Sequence, residues 1–155
     1  MQRRLLLALG SMTLILGGAF LSGCGRTITP DQLKAISKRS YPGRTSDDLM
    51  KASVIALKTL GFEVVVNDAE SGVIKTAPKP LVATASGTAT SAIAVTNDLA
   101  WTLEVTKAGE GFDVQATPRA SQGGQTYDGP YDADYMERAV ADLFKEIESN
   151  LKPKA

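Results

Sequence analysis

The stretch that decides the fold is Leu99-Ala100-Trp101-Thr102-Leu103-Glu104-Val105-Thr106 together with its continuation Phe112-Asp113-Val114-Gln115-Ala116-Thr117-Pro118. Leu99, Trp101, Leu103 and Val105 fall on one side of an extended chain, and Thr102, Glu104 and Thr106 on the other. Phe112, Val114 and Ala116 repeat that alternation against Asp113, Gln115 and Thr117. Because side chains alternate across a strand, each run buries one face and wets the other. The glycine-rich join Lys107-Ala108-Gly109-Glu110-Gly111 makes the two runs an antiparallel hairpin. A sheet with one apolar face needs cover on that face.

Two amphipathic helices supply the cover. Downstream, Met136, Ala139, Val140, Leu143, Phe144, Ile147 and Leu151 recur at spacings of three and four, predicting a helix from about Ala133 to Leu151. Asp134 with Glu137 imitates a capping box at its start. Upstream, Met50, Ser53, Val54, Leu57 and Leu60 predict a helix over Asp47–Leu60, capped by Thr45 or Ser46 and ended by Gly61 in a left-handed conformation. Between them, residues 62–66 and 73–77 read as strands joined by a turn at Asn67–Gly72, with Pro78 and Pro80 ending the second.

The small, uncharged residues 81–98 fit a loop better than an edge strand, and 119–131 reads as a polar loop. The expected fold is α+β: helix, four strands, helix, with an antiparallel sheet of about four strands and both helices on one face. Glu63, Lys75, Thr102, Glu104, Asp113 and Gln115 lie on the other, wetter face.

The N-terminus is of another kind. Arg3 and Arg4 precede an uncharged, mostly apolar run from Leu5 to Leu21, and the small residues Ser22 and Gly23 lead to Cys24. Positive start, apolar middle and small residues at a cleavage point are the layout of a secretory signal. A retained membrane helix is the rival reading. The run has 17 residues against the roughly 20 that a spanning helix needs, and Gly10, Gly17 and Gly18 weaken it.

Leu21-Ser22-Gly23-Cys24 resembles the lipobox of bacterial lipoproteins. The resemblance implies cleavage between Gly23 and Cys24, acylation of Cys24, and a membrane anchor through those acyl chains. It also implies residence in the cell envelope; Gly25 after the cysteine favours the outer membrane, facing the periplasm. Several acyl chains hold a protein firmly where one does not. On this reading 1–23 is a signal peptide, 24–44 a lipidated tether with at most one short helix starting at Thr29-Pro30-Asp31, and 45–152 the domain.

Composition narrows the chemistry. Without Arg3 and Arg4 the remaining 132 residues carry 15 basic and 17 acidic side chains, a net of −2, which is no footprint for nucleic acid. There is no histidine, and Cys24 is the single cysteine. Structural zinc, thiol chemistry, disulfides and histidine acid–base catalysis are therefore excluded by inventory. No catalytic residue, metal or cofactor is expected.

Tyr127, Tyr131 and Tyr135 stand four apart among Asp128, Asp132 and Asp134, the composition of a binding patch. The plainer reading packs Tyr135 in the first helical turn and leaves the other two on a loop. A calcium loop is disfavoured, because no Glu follows Asp128 or Asp132 at the twelfth position. The order of elements from Asp48 through Leu60-Gly61-Phe62 to the closing helix resembles BamC-like helix-grip domains of small periplasmic lipoproteins. Together these features lead to a non-catalytic, lipid-anchored module that binds a protein partner in the envelope. A small-ligand or lipid-binding lipoprotein, and a cell-wall-acting enzyme of unrecognised type, are the alternatives.

Overall fold

Gly61 shows how locally the chain is determined. It takes φ +79°, and its N–H and that of Phe62 close back onto the carbonyls of Lys58 and Leu57, both at 2.9 Å. These two bonds are the paired closure by which a helix ends on a left-handed glycine. They stop one helix and turn Phe62 into the core.

The computed structural model describes residues 26–81, 84–86, 93–95, 97–122, 124–127 and 130–151. In chain order the elements are β1 (Thr27–Ile28), α1 (Pro30–Ile36), β2 (Lys38–Pro42), α2 (Ser46–Thr59), β3 (Val64–Asp68), β4 (Val73–Thr76), β5 (Lys79–Pro80), β6 (Thr84–Ser86), β7 (Ile93–Val95), β8 (Asn97–Ala108), β9 (Gly111–Gln122), β10 (Gln125–Tyr127), β11 (Tyr131–Asp132) and α3 (Ala133–Leu151).

The main sheet runs β10-β9-β8-β4-β3, with β2 also on β9 and β5 also on β8, and every pairing is antiparallel. Its spine is the expected hairpin, in register from Asn97↔Gln122 to Ala108↔Gly111. Leu99, Trp101, Leu103 and Val105 of β8 join Val114 and Ala116 of β9 and Ile74 of β4 on one face. Leu49, Met50, Ala52, Ala56 and Leu57 of α2 and Met136, Val140, Leu143, Phe144 and Ile147 of α3 pack with them in a single core. Fully burying one such side chain is worth roughly 1.5–3 kcal/mol. The protein is thus α+β, with an antiparallel sheet whose helices share one apolar core.

Four expectations need correction. First, the sheet is larger: the described residues give seven strands in it and two further two-stranded pairs, β1-β11 and β6-β7. Second, 24–44 is no tether where it is described. Thr29 and Gln32 form a complete capping box on α1, β2 pairs with β9 from Lys38↔Gln115 to Pro42↔Gly111, and Ile28, Leu33 and Tyr41 are core. Third, the segment 81–98 holds the hairpin β6-β7, with Thr84↔Val95 to Ser86↔Ile93 in register. Fourth, much of 119–131 is strand, since β9 runs on to Gln122 and turns back as β10.

The polar face of the sheet also differs at one point. Asp113 is buried, not wet, because β2 lays Ser40 and Lys38 over it at 2.6 and 2.7 Å. These two donors hold its carboxyl below the ordinary carboxylate value. Pro118 sits where a proline can be carried. Its partner Trp101 directs its own N–H away from β9, to Thr76 Oγ1, so the missing donor of Pro118 faces the gap between β2 and β10.

Candidate functional site

A groove opens where the end of the sheet meets the first turns of α3. Asp132 begins it: its Oδ1 accepts the backbone N–H of Tyr135 at 2.7 Å, so Asp132 caps α3 in place of the expected Asp134–Glu137 pair. Asp134 and Glu137 are turned to another task and both hold the guanidinium of Arg26. Ala133 N–H donates to Arg26 O at 2.8 Å, and Thr27↔Asp132 and Ile28↔Tyr131 pair beside it. The start of the described chain is therefore fastened to the root of α3.

Tyr127, Tyr131 and Tyr135 come together around this groove. Tyr131 is buried, and its ring meets that of Tyr127 edge-on at 5.9 Å. Tyr131 OH donates to Tyr127 O at 3.2 Å, and Tyr127 OH donates to Pro130 O at 3.1 Å. These bonds tie the end of β10 to the start of β11. Tyr127 and Tyr135 remain about two-fifths exposed, at 41% and 40%. Partial burial raises the Tyr135 hydroxyl pKa. The Tyr135 hydroxyl is thus neutral, and the patch offers apolar area with polar tips.

Two adjoining cavities share Leu81 and Tyr135 in their walls; the one at the three tyrosines is the outer part of the groove and the one at Trp101 the inner part. The outer part, about 310 Å³, is walled by Ala120, Tyr127, Pro130, Tyr131 and Met136. The inner part, about 220 Å³, runs between Phe62, Leu99 and Trp101 on the sheet side and Arg138, Ala139 and Asp142 on α3. Phe62 stands edge-on to Trp101 at 6.4 Å. Lys79 closes that end: its Nζ lies 5.0 Å from the centre of the Phe62 ring and donates to Leu60 O at 2.7 Å.

Sequence reasoning found the tyrosines but not Leu81, Lys79, Trp101 or Arg138 as groove walls. Trp101 was expected only as core, which it also is. Those residues come from β5, β8 and α3, and no local spacing announces that they meet. Gly23 and Cys24, the expected cleavage and lipidation site, lie outside the described residues. Among the described residues no helix is long and apolar enough to cross a membrane, and no group of three or more Asp, Glu or Cys could hold a metal ion.

Fold and groove together define an α+β domain with an aromatic-walled cleft between its sheet and its last helix. In the solved structures, a DUF4468 family protein from Bacteroides ovatus ATCC 8483 is similar to this chain at 12% identity and a TM-score of 0.42, over 76% of this chain and 85% of that one. No protein-family model matches the chain, and no curated protein matches it.

Proposed function

We propose that this protein is a lipid-anchored, non-catalytic binding module of the bacterial envelope, held at the periplasmic face of the outer membrane through acyl chains on Cys24. On this reading it engages a protein partner of the envelope through the surface around the groove, as an accessory to envelope assembly. The observation that carries the binding role is the convergence of Tyr127, Tyr131 and Tyr135 on one open groove. Tyrosines at a concave site supply large contact area at little conformational cost. The anchor rests on the sequence Leu21-Ser22-Gly23-Cys24.

A second occupant is favoured by a specific observation. The inner groove is walled by Phe62, Leu81, Leu99 and Trp101, an apolar slot suited to a small ligand or lipid. The experiment for the anchor is Cys24→Ala, followed by fatty-acid labelling and intact mass. The variant accumulates as uncut, unlabelled chain in the inner membrane. Normal processing and labelling of that variant would refute the anchor.

A further inference from the structure

Three features of the groove go beyond a general binding surface. Its inner part is apolar along one wall, formed by Leu81, Leu99 and Trp101. Its α3 wall carries Arg138, whose guanidinium makes no hydrogen bond or ion pair among the described residues. Lys79 adds a second cation at the same end, against the single carboxylate of Asp142, so the mouth has net positive charge. An apolar slot under an uncommitted cation complements a molecule with a greasy tail and an anionic head.

The root of the chain adds a fourth. Arg26 is fastened to Asp134 and Glu137 on the opposite flank of the same helix that walls the groove. Cys24 is two residues upstream of Arg26, a reach of roughly 7 Å at full extension. An acylated Cys24 therefore brings the first turns of α3, and the groove beside them, to the bilayer surface.

We propose that the groove binds an anionic amphiphile, with its acyl chain along Leu81, Leu99 and Trp101 and its head group at Arg138. This rests on the groove being the binding site and assigns it the second of the two occupants above. Free fatty acids and anionic lipids share this chemistry. Trp101 is the single tryptophan of the chain and is 2% exposed, so its emission reports on this slot and not on the surface.

The test uses the processed, acylated protein beginning at Cys24 in phosphatidylcholine vesicles, titrated with dibromostearate as a contact quencher of Trp101. The expected result is saturable quenching that unbrominated fatty acid reverses and the long-chain alcohol reverses poorly. A brominated phosphatidylglycerol run in parallel tells a lipid source from a free acid. Ala139→Phe, which fills the groove from its half-buried α3 wall, abolishes the saturable quenching. Arg138→Gln, at an exposed position, weakens it about tenfold, the loss of one charge-assisted hydrogen bond.

Quenching that is absent with both probes, or that is unsaturable and equal in Ala139→Phe, overturns the proposal. So does a photocrosslinker at position 135 that captures a protein in intact envelopes while Trp101 stays unquenched, which gives the groove to a protein partner. The mass of the same preparation reads Cys24 independently. Acylated protein without quenching refutes the ligand alone, and quenched protein without acyl chains refutes the anchor alone.

Discussion

Thr76→Val isolates the cost of one buried hydrogen bond. The β4–β8 ladder ends at Lys75↔Thr102 and pairing with β8 resumes only at Lys79↔Leu99 of β5. In the gap, the N–H of Trp101 turns toward β4 and donates to Thr76 Oγ1 at 2.9 Å, both groups buried. Beyond Thr76 the backbone turns to β3, with Ala77 N–H on Glu63 O at 2.8 Å, so no main-chain oxygen replaces the hydroxyl. Valine fills nearly the same space and removes the acceptor. A buried N–H left unpaired costs about 1–3 kcal/mol.

For a domain of this size that lowers Tm by about 4–12 °C. Thr76→Ser is the control: it keeps the oxygen and loses one methyl, a cost of about 1 kcal/mol. Urea denaturation compares the two, and hydrogen exchange reads the Trp101 amide directly. That amide exchanges fast in the valine variant and stays protected in the serine variant. If the valine variant equals or exceeds the serine variant in stability, with Trp101 still protected, the hydroxyl is not what completes the sheet there.

Gly72→Ala lowers stability by more than about 2 kcal/mol in the same assay. Gly72 has φ +70°, and an added Cβ would lie 2.4 Å from Val105 O, whose residue also donates its N–H to Gly72 O at 2.8 Å. Tyr41→Phe is neutral or stabilising, since the buried Tyr41 hydroxyl has no hydrogen-bond partner among the described residues. Burial, with Glu148 nearby, pushes that hydroxyl from 10.0 up to about 12, so wild-type stability is intact below pH 10.0 and falls as pH rises through that window. The phenylalanine variant loses this part of the alkaline decline in a Tm-versus-pH series. Asp113→Asn destabilises at neutral pH. Because Lys38 and Ser40 hold the Asp113 carboxyl below 3.8, their contribution is complete above that pH and lost as pH falls through the lowered value. Acid titration of both proteins therefore closes the gap between them below pH 3.8, and a gap that persists there would remove Lys38 and Ser40 as its cause.

What the sequence disclosed follows from where its information is local. The stripe from Met136 to Leu151 marks α3 because every residue of the stripe faces the same core, and the expected bounds Ala133–Leu151 are those observed. The hairpin was legible for the same reason, though β8 and β9 extend further because each borrows hydrogen bonds from neighbours that the alternation does not mention. Strands β1 and β2 were hidden because they contain only Ile28 and Tyr41 as buried apolar side chains, and their partners lie far along the chain, Tyr131 for Ile28 and Phe112 for Tyr41. Segment 81–98 is similar: small residues set no periodicity, yet main-chain bonds join β6 to β7. Asp134 met the pattern of a cap but lost the role to Asp132, since Arg26 claims Asp134 and Glu137 from outside the helix. The tyrosines of the groove could be named from their spacing. Arg138 and Lys79 could not, because their meaning arises only when α3 and β5 come together.

The pairing of Ile28 with Tyr131 couples the fate of the two ends of the chain. Synthesis delivers β1 first and β11 more than 100 residues later, so the opening strand waits, unpaired, until nearly everything else has been made. Ile28 and Leu33 stay uncovered for that interval, a window in which a chaperone has something to hold. The same coupling turns damage around: shortening the protein through its last helix removes Asp134 and Glu137 from Arg26, and the lesion is felt beside β1.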